Sequence, residues 1–118
     1  MILTTIALVA QASPAPDAKV ATTARSWFIA LQHGKILDAS QLDAQMTALL
    51  TPAILSSFEA QIGPLGDPTS FAQAKTGTKD GDTYYVYTLS FKTGDQLQFV
   101  IAFDSDGKIG GLRALPPQ

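Results

Sequence analysis

The fold is decided by one stretch in the C-terminal half of the chain, YYVYTLSFKTGDQLQFVIAF, residues 84–103. Large apolar and polar side chains alternate on both sides of a central turn signal, as they do in two β-strands that each bury one face. The turn contains Gly94, and the length of its loop decides which side chains face each other across the hairpin. The stretch therefore predicts an antiparallel hairpin whose register fixes the core.

Two loop lengths are compatible with this turn. A two-residue loop would place Leu89 opposite Gln98 and would mix apolar and polar side chains on both faces. A three-residue loop, with Gly94 in the left-handed position, gathers the large side chains on one face. Since a one-residue slip would turn every side chain to the opposite face, we expect the three-residue loop. The pairs that follow from it are Leu89–Leu97, Tyr87–Phe99 and Tyr85–Ile101.

Further turn signals on either side of the hairpin extend it to a meander. Asp80-Gly81 precedes it and Asp106-Gly107 follows it. Together these turns predict four antiparallel strands, near residues 70–78, 82–91, 96–104 and 108–114. A three-residue loop at 105–107 would place Phe103 opposite Ile109 and would bring Arg113 beside Phe99, on the apolar face.

The N-terminal half has helical periodicity instead. Asp17 is a predicted N-cap for a helix that runs to about His33, where Gly34 supplies a left-handed stop. A helical turn is expected around residues 36–42, and Thr51-Pro52 predicts the start of another helix, which Gly63-Pro64 ends. The apolar stripe of the first helix consists of Val20, Ala24, Trp27, Phe28 and Leu31.

Helices followed by a bent meander predict an α+β fold, in which N-terminal helices pack on a curved four-stranded antiparallel sheet. The expected single domain covers residues 17–118. Such a cone is filled by side chains and often leaves a pocket at one end.

Residues 1–16 form a signal-like leader followed by a Pro/Ala spacer. An apolar stretch ends in Ala10-Gln11-Ala12, which has the small–x–small form that signal peptidase cleaves. No basic residue precedes this stretch, so either the true start lies upstream of Met1 or the match is accidental, as in an apolar N-terminus or an extra strand. We expect export, and hence a periplasmic or secreted domain.

Composition excludes several classes of function. A net charge of −2 disfavours an electrostatic nucleic-acid binder, and 15% charged with 46% hydrophobic residues predicts a packed core. The chain has no cysteine and one histidine, which excludes thiol chemistry and sites built from several imidazoles. We expect no metal and no cofactor. No apolar run is long enough for a membrane span in the mature domain.

Three segments resemble one superfamily. They are Trp27-Phe28-x-Ala30-Leu31-x-x-Gly34, Leu50-Thr51-Pro52 with Phe58, and Phe103-Asp104-x-Asp106-Gly107-Lys108-Ile109-x-Gly111-Leu112. Over roughly residues 17–114 the chain resembles the nuclear-transport-factor-2-like superfamily, the cystatin-like cone of SnoaL-type polyketide cyclases and ketosteroid isomerases. More narrowly, it is similar to a bacterial subgroup found alone or ahead of exported α/β-hydrolase and β-lactamase-like domains.

The resemblance implies the cone fold, a homodimer formed through the sheets, and an exported hydrolase as a partner. It does not fix the activity, because this architecture hosts enzymes, binding proteins and scaffolds alike.

Candidate acids and bases are few. His33 would end the first helix, where it acts either as a general base steered by Asp38 or as a cap for the last carbonyls. Asp38 and Asp43 are the acids of the helical region. Most other carboxylates lie at turns, where they stabilise the bend. We therefore assign no catalytic residue, and an isomerase-like enzyme using Asp38 or His33 with Tyr85 or Tyr87 is the alternative.

Polar groups on the expected inner face suggest a ligand pocket instead. Its predicted residues are Trp27, Tyr85, Tyr87 and Arg113, with Arg113 favouring a carboxylate or phosphate. The competing interpretation is an ordinary core in which the tyrosine hydroxyls and the arginine reach solvent.

The expected outer face carries the apolar side chains of Val86, Val100 and Leu112, which a sheet-to-sheet dimer would bury. The sequence thus predicts a small non-catalytic binding or accessory domain that holds a small apolar or anionic ligand or forms a dimer.

Overall fold

The computed structural model describes residues 17–116, which form three α-helices followed by one four-stranded antiparallel sheet. The predicted leader and spacer of residues 1–16 lie outside this range, as do residues 117–118. The helices are α1 (Ala18–Gln32), α2 (Ala44–Leu49) and α3 (Pro52–Ile62). The strands are β1 (Pro68–Lys79), β2 (Asp82–Phe91), β3 (Gln96–Phe103) and β4 (Ile109–Leu115).

The first helix begins and ends where its capping residues predict. The Asp17 carboxylate accepts hydrogen bonds from the backbone N–H groups of Lys19 and Val20, at 2.9 and 3.2 Å. The helix ends at His33, and Gly34 follows with a φ of +67°, a conformation that glycine adopts at little cost. The predicted apolar stripe faces the sheet, with Ala24, Trp27, Phe28 and Leu31 fully buried.

The segment between α1 and the sheet contains shorter elements. The helical turn expected around 36–42 is a 3-10 helix, Ala39–Gln41, capped by Asp38. The helix α2 was not predicted, because six residues carry too little periodicity to recognise. The Thr51 hydroxyl accepts from the backbone N–H of Ile54 and caps α3, as predicted. After α3, residues Gly63–Leu65 form a second 3-10 helix.

The sheet is an open meander in which each strand pairs with its neighbours in chain order. The predicted register of the central hairpin is confirmed: Leu89 lies opposite Leu97, Tyr87 opposite Phe99 and Tyr85 opposite Ile101. Gly94 has a φ of +89°, as the three-residue loop requires. Helices on one face of one antiparallel sheet make the domain α+β, as the sequence predicted.

An aromatic cluster joins α1 to the inner face, the side of the sheet that faces the helices. The ring of Phe28 lies 5.3 Å from that of Phe99, 6.0 Å from that of Phe91 and 6.3 Å from that of Phe71, measured between centroids. The buried Gln32 amide donates to the carbonyls of Ile62 and Gly66, at 3.0 and 2.7 Å. These bonds tie the end of α1 to the loop that leads into the sheet.

The last strand corrects one prediction. Phe103 lies opposite Ile109, as expected, but the next pairs are Ala102–Gly111, Ile101–Leu112 and Val100–Arg113. Gly110 is therefore an extra, unpaired residue, a β-bulge that reverses the facing of every later side chain. The predicted placement of Arg113 beside Phe99 is wrong, since Phe99 lies opposite Ala114. The predicted outward placement of Leu112 is wrong for the same reason.

No helix within residues 17–116 combines the length and the apolar character needed to cross a membrane.

Candidate functional site

A hollow lies on the outer face of the sheet, the side away from the helices. Its volume is about 450 Å³, within the range of small-molecule sites, and it is open to solvent. Val86, Val100, Ala102 and Gly111 form its floor. The side chains around this floor are Lys75, Lys79, Asp80, Asp82, Tyr84 and Arg113.

The aromatic side of the hollow depends on a glycine. A Cβ added at Gly77 would lie 2.6 Å from the hydroxyl oxygen of Tyr84 and 2.8 Å from the ring carbon that carries it. The tip of the Tyr84 side chain therefore lies across Gly77, its register partner on β1. On the other side of Tyr84, the small residues Ala102 and Gly111 leave the space that forms the hollow.

Arg113 lies where two hollows meet. Its exposed side chain borders the outer hollow, and it also lines a smaller one of about 270 Å³ between β4 and α3. Leu112 and Phe58 line that smaller hollow too. A third hollow, of about 340 Å³, lies between Gln41 and the β3–β4 turn. Trp27, Tyr85 and Tyr87 line none of these three hollows.

The other predicted ligand-binding residues lie on α1 and on the inner face of the sheet. Trp27 is fully buried and its indole N–H donates to the Gln41 side-chain oxygen at 2.7 Å. Tyr85 is half-buried, with its ring edge-on to Phe103 at 6.0 Å between centroids. Tyr87 is buried, and its ring lies 4.9 Å from that of Phe71. The structure thus brings Tyr85 and Tyr87 to the inner face and places Arg113 on the outer one.

Two buried polar atoms of facing residues lack a hydrogen-bond partner within the described part of the chain. They are the Tyr87 hydroxyl and the Gln73 side-chain oxygen, from residues directly opposite each other on β2 and β1. Burial raises the pKa of Tyr87 to about 12, and the nearby Tyr85 and Asp17 add to the shift. This phenol therefore stays protonated at physiological pH.

The candidate acids and bases act as caps. His33 is exposed at the end of α1, where its backbone N–H donates to the carbonyl of Ala30. Asp38 is exposed, and its hydrogen bonds from the side chain and backbone of Ser40 lower the pKa of that carboxyl. Asp43 is half-buried and accepts from the backbone N–H of Met46 at 2.8 Å. None of these three residues lines the outer hollow.

Two of the three predicted interface residues share the outer face. Val86 lies directly opposite Val100, and both side chains are half-buried. Leu112 lies opposite Ile101 and is buried, with 6% of its surface exposed. The outer apolar patch is therefore smaller than the sequence predicted, and Arg113 occupies the position expected for Leu112.

Lys75 and Tyr84 also belong to the outer face, although neither was predicted there. The register of β1 against β2 could not be predicted, because β1 contains a bulge between Gln73 and Lys75. The pair Gly110-Gly111 was the available signal for the bulge on β4, since a glycine inside a strand pattern often marks one.

Within residues 17–116 no three side chains of the metal-binding types come close enough together to hold a metal ion. Comparison with known proteins adds no assignment: no family model matches the chain, and neither the curated proteins nor the solved structures contain a significant match.

Proposed function

We propose that this chain is a non-catalytic binding or accessory domain whose binding surface is the outer face of the sheet. The observation that carries the proposal is the outer hollow of about 450 Å³, with its apolar floor and its rim of charged side chains. An apolar surface with a few polar groups around it is the usual composition of a binding site. The inner face, by contrast, is occupied by the side chains of the core.

The proposal includes membership of the nuclear-transport-factor-2-like superfamily and export to the periplasm or the medium. Helices that precede and cover a four-stranded antiparallel meander are compatible with that cone. The signal-like sequence of residues 1–16 supports export. An exported hydrolase is the partner that the superfamily resemblance suggests.

A non-catalytic role is favoured over the isomerase-like enzyme because the residues named for that enzyme, His33 or Asp38 with Tyr85 or Tyr87, do not line the outer hollow. A general acid or base has to lie within hydrogen-bond reach of the substrate. His33 and Asp38 are exposed residues at helix ends, away from the outer hollow, and Asp43 caps α2. Tyr87 is protonated and buried, which does not suit it to accept a proton at neutral pH.

Native mass spectrometry of the gently purified 118-residue chain tests the proposal, because it reports oligomeric state and retained small molecules together. We expect either extra mass that leaves on denaturation or a dimer at the calculated mass. The first result would identify a ligand-binding domain and the second a domain that pairs with itself.

The substitution Val100→Asp locates the binding surface. It places a carboxylate at the centre of the outer apolar patch, so it should release the ligand or give a folded monomer. Thr47→Asp, on the exposed face of α2, is the matched control and should change neither. A bare monomer, or a complex that survives Val100→Asp, would contradict the proposal.

A further inference from the structure

One row of residues crosses all four strands on the outer face and has a cation at each end. Lys75 lies opposite Val86, Val86 opposite Val100, and Val100 opposite Arg113. Neighbouring strands are about 4.8 Å apart, so the Cα atoms of Lys75 and Arg113 are separated by about 14 Å. Two long cationic side chains thus flank an apolar floor two residues wide.

Both terminal cations of this row are available to an external partner. Within residues 17–116, the side chains of two basic residues, Arg25 and Lys108, donate hydrogen bonds. The side chains of Lys75 and Arg113 donate none to this part of the chain. Lys75 and Arg113 are also exposed. Lys79 differs, because its register partner on β2 is the acidic residue Asp82.

The neighbouring row of residues across the four strands determines the shape of the hollow. In it, Tyr84 lies over Gly77, while Ala102 and Gly111 are small enough to leave open space beside the aromatic side chain. A planar or branched apolar group would fit between Tyr84 and the floor of the hollow. A charge at one end of that group would then meet the row of Lys75 and Arg113.

We infer that the outer hollow binds a small amphipathic carboxylate, with its apolar body against Tyr84, Val100 and Ala102 and its carboxylate between Arg113 and Lys75. A guanidinium matches a carboxylate with two parallel hydrogen bonds, and an ammonium adds a third donor group. Asp80 and Asp82 border the same hollow, so its charge favours a monoanion over a phosphate dianion. This inference rests on the proposed binding role of the outer face and names its ligand class.

An NMR titration of the ¹⁵N-labelled full chain tests the inference, with phenylacetate as the probe and phenylacetamide as its neutral isostere. We expect saturable shifts of the Val86, Val100 and Gly111 amides with phenylacetate. Phenylacetamide should bind about tenfold or more weakly, because it lacks the charge. Equal binding of the two probes, or no shift of these amides, would overturn the inference.

Two substitutions and one control test whether Arg113 and Lys75 bind the carboxylate of the ligand. Arg113→Gln and Lys75→Gln should each raise the Kd for phenylacetate about tenfold and leave weak binding of phenylacetamide unchanged. Lys92→Gln removes a charge from the exposed β2–β3 turn and should have no effect on either probe. The inference fails if Arg113→Gln and Lys92→Gln give the same Kd.

The same experiment separates this inference from the proposed function. If the charge variants bind phenylacetate normally while Val100→Asp abolishes binding, the outer face binds the probe through its apolar floor, and only the assignment of the carboxylate to Arg113 and Lys75 fails. If no probe binds and mass spectrometry shows a bare monomer, both fail.

Discussion

Ile109 and Leu112 both face the helices although they lie three positions apart along β4. In a regular strand, residues an odd number apart point to opposite faces. The unpaired Gly110 between them restores Leu112 to the inner face and sends Arg113 outward. A Cβ at Gly110 would lie 3.0 Å from a carboxylate oxygen of Asp43, whose backbone N–H donates to the Ile109 carbonyl at 3.0 Å. The bulge therefore lies where the segment before α2 docks against the sheet.

The bulge predicts that Leu112 is a core residue. Leu112→Ala should lower the free energy of unfolding by about 2–5 kcal/mol, because it removes buried methyl groups and leaves a cavity. Leu49→Ala is the matched control, since 54% of Leu49 is exposed, and should change stability by less than about 0.5 kcal/mol. Urea denaturation measures both. Equal losses would mean that Leu112 points outward and that the register without a bulge is correct.

The hydrogen bond between Trp27 and Gln41 joins α1 to the 3-10 helix, Ala39–Gln41, and should contribute to stability. Gln41→Leu would leave the buried indole N–H without an acceptor, at a cost of about 1–3 kcal/mol. Gln45→Leu, on the exposed side of α2, makes the same chemical change where no such bond exists. If both variants unfold at the same urea concentration, the Trp27–Gln41 bond contributes nothing.

Gly34 and Gly66 test the cost of adding a methyl group at a positive φ. Gly34, at the left-handed end of α1 with a φ of +67°, should lose about 1 kcal/mol of stability when it is replaced by alanine. Gly66 has a φ of +75° and a ψ of −168°, a region that essentially only glycine adopts, so Gly66→Ala should cost about 1–3 kcal/mol. A Cβ at Gly34 would lie 2.8 Å from a carboxylate oxygen of Glu59, but that side chain is exposed and can move away. Gly66→Ala should therefore be the more destabilising substitution in urea denaturation, and equal losses would contradict this prediction.

The double variant Gly34→Ala/Glu59→Ala tests whether Glu59 can move out of the way. Gly34→Ala should cost the same stability in the Glu59→Ala background as in the parent chain. A smaller cost in the Glu59→Ala background would show that the Glu59 side chain is an obstacle.

The buried Tyr87 phenol should make the domain sensitive to alkali. Its pKa is about 12 in the folded chain and 10 in the unfolded one, so the folded state keeps a proton that the unfolded state releases. The free energy of unfolding that depends on this proton is fully present below pH 10 and is lost as the pH rises towards 12.

Tyr87→Phe should reduce that loss. At pH 7 the variant should be as stable as the parent, or more stable by up to about 1 kcal/mol, because the hydroxyl has no partner among the described residues. Denaturation at pH 7 and pH 11 measures both effects, with Tyr84→Phe on the outer face as the control. A clear loss of stability at pH 7 would show that the hydroxyl has a partner.

The sequence predicted those parts of the fold that depend on local chemistry. Asp17 and Thr51 cap helices because their side-chain oxygens reach backbone N–H groups two or three residues ahead. Gly94 selects the three-residue loop, and the loop sets the register of Tyr87 against Phe99. Each of these features is encoded within a few residues, so periodicity and turn chemistry were enough to find it.

The candidate site was predicted only in part. Val86 and Val100 were placed correctly on the outer face, because the loop length of their hairpin determines its register. Arg113 and Leu112 each lie on the face opposite to the one predicted. The extra residue Gly110 reverses the inward and outward alternation of the side chains that follow it. Lys75 was missed because β1 contains its own bulge, which cannot be located from the alternation of the strand alone.

The sequence by itself therefore determined α1, α3, the order of the strands and the central hairpin, since capping, periodicity and turn geometry act over short distances along the chain. Tertiary structure alone decided that Lys75 and Arg113 flank Val86 and Val100 on one face. That arrangement depends on bulges in both edge strands, and the bulge on β4 lies where the Asp43 segment packs against the sheet. Contacts between residues more than sixty positions apart have no local signature in the sequence. The outer hollow therefore could not be predicted without the pairing of the strands.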